Sequence, residues 1–311
     1  MNVQQATPQR ARGPLVWLDM DQQALDDAYD QVVYAPNRDQ VHKRNEFNSE
    51  RVRQRLGAPK RVAYGPTPVE QLDIFSPLPN PPPRAGEGRV GAAPINVFIH
   101  GGAWRQRWVK DYHFLAEMMV RAGAHWVGLD FVGCDKTGGD LLPMADQVRR
   151  AVAWVHQNAK SFGGDPNRIY VSAHSSGAHL GGNVVTTDWK PYGVPQDIIK
   201  GTLLGSGMYD LKPVRLSKRS EYVNFTDQVE EQLSSQRHLD RLNCPLIVAH
   251  GTFETPEFQR QARDFAAAVK AAGKPVTLLV AEGYNHFEMC EMFASPLTLV
   301  GSAMLEQMKL N

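Results

Sequence analysis

Residues 173–177 read Ala173-His174-Ser175-Ser176-Gly177, after the run Arg168-Ile169-Tyr170-Val171-Ser172 and before Ala178-His179-Leu180-Gly181-Gly182. The first flank has the β-branched and aromatic content of a strand, and the second opens a helix of small residues. A serine between small residues at such a strand-to-helix turn is lifted above the sheet, because only small neighbours leave room for a strained backbone. Ser175 is therefore the candidate nucleophile. The competing use is a plain helix cap, in which Ser175 or Ser176 bonds the first free N–H groups of the helix.

His100-Gly101-Gly102-Ala103-Trp104 separates these alternatives. It follows the apolar strand candidate Ile95-Asn96-Val97-Phe98-Ile99. Two glycines after a strand let the backbone turn its N–H groups toward a substrate oxygen, and the residue after the nucleophile, Ser176, supplies another. Gly101, Gly102, Ala103 and Ser176 are thus candidates for an oxyanion hole. Each such donor stabilises a transition state by about 3 kcal/mol, so these residues would act through backbone and not side chain.

Two later loops supply the remaining chemistry. Pro275-Val276-Thr277-Leu278-Leu279-Val280 reads as a strand and leads into Glu282-Gly283-Tyr284-Asn285-His286-Phe287. A histidine on the loop after a last strand can reach over a serine and carry its proton to the leaving group, which makes His286 the candidate base. The acid that orients it belongs after the preceding strand, where Pro245 to His250 run into Gly251-Thr252-Phe253-Glu254-Thr255-Pro256-Glu257. Glu254 lies on the loop and is preferred. Glu257 follows Pro256 just inside a helix, where an acid complements the helix N-terminus.

The order Ser175, Glu254, His286 is the order Ser…Asp/Glu…His. With His-Gly-Gly-x-Trp at 100–104, His-Ser-Ser-Gly at 174–177, His-Gly-Thr-x-Glu at 250–254 and Asn-His-Phe at 285–287, the chain resembles the α/β-hydrolase superfamily throughout. Trp104, the N-terminal Leu25-Asp26-Asp27-Ala28-Tyr29-Asp30 and Gly207-Met208-Tyr209-Asp210-Leu211 are similar to segments of the arylformamidase (kynurenine formamidase) group and related bacterial carboxylesterases. Two departures stand out. Ala173 replaces the elbow's first glycine, and Glu254 replaces the more frequent aspartate. Neither removes a required chemical group.

The 311 residues, 42% of them hydrophobic, suffice for one large α/β domain with a lid. A net charge of +1 and the lack of a Lys/Arg block argue against a nucleic-acid or membrane partner. Cys134, Cys244 and Cys290 are scattered, with neither C-x-x-C nor zinc spacing, and His113, His174 and His179 form no H-E-x-x-H. No metal and no cofactor is expected, and reduced cysteines suit a cytoplasmic protein. Residues 1–14 read as a polar, flexible tail without a signal-peptide core, and no apolar run is long enough to span a membrane. A homodimer is an admissible assembly.

Short apolar runs alternate with amphipathic stretches from about residue 70 onward, which predicts a mostly parallel central sheet flanked by helices within one domain, residues 15–311. Strands are predicted at Gln71 to Phe75, Ile95 to Ile99, Trp126 to Asp130, Arg168 to Ala173, Ile199 to Leu204, Leu246 to His250 and Val276 to Val280. Helices are predicted at Tyr112 to Ala122, Met144 to Asn158, Gly177 to Thr186, Glu257 to Ala272 and Pro296 to Lys309. The Pro- and Gly-rich segment 76–94 reads as an exposed connection between two hairpin strands. Segments 15–56 and 210–240 fall outside the alternation and read as lid elements over the carboxyl end of the sheet, against the plainer reading of surface helices.

Proximity to the catalytic loops nominates Trp104, Trp108, Tyr209, Tyr222 and Phe225 as aromatic walls for a flat substrate, core packing being the alternative. The formamidase resemblance implies a small-molecule aryl amide with a formyl acyl group. Short-chain or aryl esters use the same machinery and remain the close alternative, and a fold retained only for ligand binding is a third.

Overall fold

Runs such as Ile95-Asn96-Val97-Phe98-Ile99 are apolar at nearly every position, the pattern of a strand covered on both faces. The computed structural model, which describes residues 12–78 and 91–310, folds them so. In chain order the strands are β1 (Leu15–Trp17), β2 (Met20–Asp21), β3 (Lys60–Ala63), β4 (Gln71–Phe75), β5 (Ala93–Ile99), β6 (His125–Leu129), β7 (Gly164–His174), β8 (Ile199–Gly205), β9 (Leu246–Gly251) and β10 (Val276–Ala281). The first two pair as a small antiparallel hairpin, and the other eight form one sheet in the order β10-β9-β8-β7-β5-β6-β4-β3. Every neighbouring pair from β6 through β5 to β10 is parallel, whereas β4 is antiparallel to both β6 and β3.

Because successive side chains of a strand point to opposite faces, each strand feeds two cores. Val97, Val171, Leu204 and Val248 enter the core shared with helices Leu142–Asn158, Ser176–Val185 and Pro256–Ala271. Phe98, Tyr170, Leu203 and Ile247 enter the other, with Ala116–Arg121, His286–Glu291 and Leu299–Met308. A fully buried side chain of this kind contributes about 1.5–3 kcal/mol, so the two cores hold the sheet between two packed layers. The loops that leave the carboxyl ends of β5, β7, β9 and β10 carry His100, Ser175, Glu254 and His286. That end of a parallel sheet is where such folds place their sites.

The structure departs from the expected pairing in one place. The segment 76–94 does not join hairpin strands, because β6 lies between β4 and β5, and the hairpin partner of β4 is β3. Lys60-Arg61-Val62-Ala63 lacks a strand-like alternation because it forms the sheet edge, where charge discourages further pairing. The expected helix from Tyr112 is a 3₁₀ helix over Val109–Leu115 that becomes α-helical only at Ala116–Arg121, and the last helix begins at Leu299 and not Pro296. Of the expected tail, residues 1–11 lie outside those described, and the Gly13 N–H donates to Asp21 Oδ2 at 2.8 Å. Residues 79–90 of the Pro- and Gly-rich segment are likewise outside them. Among the described residues no helix is long and apolar enough to cross a membrane.

Candidate active site

Ser175 stands between the end of β7 and the helix Ser176–Val185 with φ 61° and ψ −130°, a conformation that costs a non-glycine residue about 1–3 kcal/mol. Its neighbours explain how that strain is held. The Ser175 N–H donates to the Gly205 carbonyl at 2.9 Å, and the Ser175 carbonyl accepts from Ala178 and His179. A Cβ on Gly177 would lie 2.2 Å from the Ile99 carbonyl oxygen, and one on Gly101 would lie 2.8 Å from Ser175 Cβ. Only glycine therefore lets β5, its loop and the serine turn come together. Ala173 is accommodated from the opposite side: a Cβ on Gly181 would sit 3.0 Å from its own, so the glycine that the strand lacks is supplied by the facing helix.

His286 begins the helix His286–Glu291, whose N-cap Asn285 forms a reciprocal capping box with Glu288. Asn285 Nδ2 also donates to Asn37 Oδ1 at 2.8 Å, and Asn37 Nδ2 donates to Glu288 Oε1 at 2.7 Å, so the N-terminal segment clamps this loop. Held there, the imidazole bridges two groups. Nδ1 meets Glu254 Oε2 at 2.8 Å and Nε2 meets Ser175 Oγ at 2.8 Å. Since a carboxylate only accepts, Nδ1 carries the proton and Nε2 is left to accept the serine hydroxyl. Glu254 is 2% exposed, and its other oxygen accepts from Ser206 Oγ at 2.7 Å and from the Gly251 N–H at 2.8 Å. Three donors fix the carboxylate as an acceptor. Glu257 is engaged elsewhere, taking hydrogen bonds from Tyr29 Oη and from both sides of the Arg260 guanidinium.

The loop after β5 carries three consecutive positive φ angles, 131° at Gly102, 55° at Ala103 and 61° at Trp104. Among the described residues no acceptor takes the N–H of Gly102 or Ala103, and both residues border the cavity that contains Ser175. Gly101 is buried against Ser175 and serves close approach, while Ser176 opens the helix with its N–H in the first turn. Ser176 also has a second task. Its Oγ accepts the Trp104 N–H at 3.2 Å, and Trp104 Nε1 donates to His179 Nδ1 at 3.0 Å, which ties the loop to the helix twice. Burial holds the His179 imidazole neutral, its pKa lowered to about 4. His174, next to the serine, bonds the His286 carbonyl through Nε2 at 2.9 Å, and burial together with the nearby His286 ring keeps it well below the ordinary histidine range.

The cavity over Ser175 has a volume of 620 Å³ and is lined from both extra segments, by Tyr29 and His42 from the first and by Lys218, Arg219 and Tyr222 from the second. Of the five aromatic candidates only Tyr222 borders it. The structure corrects the other four. Trp104 is turned inward onto His179 and is 2% exposed; Phe225 packs edge-on against it. Tyr209 is fully buried, stacked on Phe265 with centroids 4.0 Å apart, and Trp108 points to solvent outside the cavity. Trp104 and Tyr209 fill the interior beneath the site, and the rings that border the cavity beside Tyr222 are Tyr29, Tyr112 and Phe287. Phe287 was legible as the neighbour of His286, and Tyr29 lies in the N-terminal stretch that carries the family likeness.

Known proteins resemble the chain in sequence and fold. A family model described as BD-FAE matches residues 84–189. The chain is 31% identical to the kynurenine formamidase of Danio rerio over 79% of its own length and 80% of the relative's. It is 27% identical to esterase LipC of Mycobacterium tuberculosis, covering 69% of this chain and 56% of that one. The crystal structure of a Silicibacter sp. TM1040 protein superposes with a TM-score of 0.75 at 22% identity, over 89% of this chain and 97% of the other, which shows the shared fold. With formamidase and esterase relatives aligned along most of its length and a mostly parallel eight-stranded sheet, the chain belongs to the kynurenine formamidase group of the α/β-hydrolase superfamily.

Proposed function

We propose that the chain is a serine hydrolase that removes a small acyl group from an aryl amide, with an N-formylkynurenine-type formamide as the favoured substrate. The observation that carries this is the unbroken relay Glu254, His286, Ser175, with 2.8 Å at each step, ending beside two N–H groups that lack an acceptor among the described residues. Ser175 Oγ attacks the carbonyl carbon as His286 Nε2 takes its proton, and the carbonyl oxygen, now negative, is held by the N–H groups of Gly102, Ala103 and Ser176. Collapse breaks the C–N bond, and His286 returns the proton to the departing amine. Water then repeats the two steps on the acyl-serine, releasing the acid and restoring the hydroxyl. Glu254 keeps Nδ1 protonated and stabilises the imidazolium without itself taking the proton.

A second reading, short-chain or aryl ester hydrolysis, draws support from the esterase relatives and uses the same steps with an easier leaving group. A cytoplasmic setting belongs to the proposal too, since Cys134, Cys244 and Cys290 are free and buried. Steady-state kinetics on N-formylkynurenine beside a p-nitrophenyl ester series tests the choice. The formamidase reading expects the larger kcat/KM on the formamide, abolished by Ser175→Ala. Ester turnover without formamide turnover would replace it with the esterase reading.

A further inference from the structure

Arg219 forms part of the cavity wall and is 8% exposed. A guanidinium withdrawn from water is normally matched by a carboxylate, because an unpaired buried charge is costly. Among the described residues no carboxylate is in ion-pair contact with Arg219: Asp30, near enough to feel its charge, is held by Lys218. Its Nη1 donates to Tyr222 Oη and its Nη2 to the Tyr29 carbonyl, both at 2.8 Å and both neutral acceptors, and its Nε–H is buried with no partner among the described residues. The guanidinium carbon lies 5.5 Å from the centroid of the Trp104 ring, one residue beyond Ala103 in the loop that turns its N–H groups to the cavity.

A second guanidinium reinforces the first. Arg105 lies 4.2 Å above the Tyr222 ring, so Tyr222 has a cation on its face and another on its hydroxyl. Arg105, like Arg107 beside it, forms no ion pair among the described residues. The acids of the same cavity offset this only in part. Asp30 is taken by Lys218 and Asp39 by Arg38, which leaves Glu46 and Asp111. Burial raises the Asp111 carboxyl above the ordinary range, and these two acids stand against three guanidiniums of the same cavity, Arg105, Arg107 and Arg219.

We infer that Arg219, Arg105 and Tyr222 form an anion-recognition wall that selects substrates whose leaving group carries a carboxylate. The inference rests on the proposed acyl transfer to Ser175: a formyl group is too small to hold a charge, so the anion belongs on the amine side. The carboxylate would accept from the guanidinium edges and supply the counter-charge in direct contact that Arg219 lacks, with the flat ring of the leaving group against Tyr222.

Two matched pairs test it: N-formylkynurenine with its methyl ester, and 4-acetoxybenzoate with methyl 4-acetoxybenzoate. Within each pair only the carboxylate differs, so the ratio of kcat/KM for acid over ester reads the wall alone. Arg219→Gln should lower that ratio about 10- to 100-fold, the range of a charged hydrogen bond, and Arg219→Lys should recover part of it. Arg105→Gln, at an exposed position and therefore safe for folding, should lower it about tenfold. If Arg219→Gln fails to fold, Arg105→Gln decides.

Equal turnover of acid and ester by the wild type, or an unchanged ratio in folded variants, overturns the wall while leaving the hydrolase reading intact. Turnover of the acetates but not the formamides overturns the formamidase reading, and the second pair still measures the wall. Turnover of neither pair overturns both.

Discussion

Ser176→Ala removes one oxygen, and the structure fixes what that oxygen does. It accepts the buried Trp104 N–H at 3.2 Å, and deleting it leaves a donor without a partner at a cost of about 1–3 kcal/mol. The loop it secures is strained: Ala103 and Trp104 hold φ values of 55° and 61°. A left-handed L-residue costs about 1–2 kcal/mol each, so the stored strain is about 2–4 kcal/mol, comparable with the bond that restrains it. Two ties survive the substitution, from Trp104 Nε1 to His179 and from the Cys134 N–H to the Trp104 carbonyl at 2.7 Å. The loop should loosen without collapsing and move the Gly102 and Ala103 N–H groups off the developing oxyanion. A loss of about 1–2 kcal/mol felt only in the transition state lowers kcat about 5- to 30-fold with little change in KM. Steady-state kinetics on p-nitrophenyl acetate, with the rate of phosphonylation at Ser175 measured beside them, reads the effect. Wild-type kcat would refute the brace, and a loss as deep as that of Ser175→Ala would move the nucleophile to Ser176.

Other substitutions separate catalysis from support. Glu254→Gln should lower kcat about 10⁴-fold by favouring the wrong imidazole tautomer, while leaving the melting temperature nearly unchanged. Glu257→Gln breaks bonds to Tyr29 and Arg260 and should instead lower the melting temperature with far less effect on kcat; near-wild-type rates in both variants would place the acid elsewhere. Stability should also fall on acidification. His179 is neutral in both states above its ordinary pKa of 6.5, but between pH 6.5 and about 4 only the unfolded chain takes the proton. Over that window the folded state loses about 3 kcal/mol, and His100 and His174, lowered by burial in the same direction, add to the slope. Urea unfolding at a series of pH values checks this, and an unchanged slope in His179→Gln would count against it.

Much of this was legible because the chemistry uses short local patterns. The turn at Ser175, the glycines at 101 and 102 and the loops after β9 and β10 each announce themselves by small residues next to apolar runs, and the predicted strands agree with those observed to within a few residues. What escaped was decided by contacts distant in sequence. β3 is a charged edge strand that only pairing with β4 defines. The aromatic rings nearest the site motifs, Trp104 and Tyr209, fill the interior because His179 and Phe265 offer them partners there. Tyr29, His42, Lys218, Arg219 and Tyr222 reach the cavity from outside the site motifs, and no spacing rule joins Tyr29 to Arg219 before the fold does.

The most direct measurement of the central claim is mass spectrometry after treatment of the folded protein with an organophosphonate. The relay from Glu254 through His286 predicts a single adduct on Ser175, formed in parallel with loss of activity, absent in Ser175→Ala and much slower in His286→Ala. An adduct on Ser176, or a folded protein that forms none on Ser175, would contradict it.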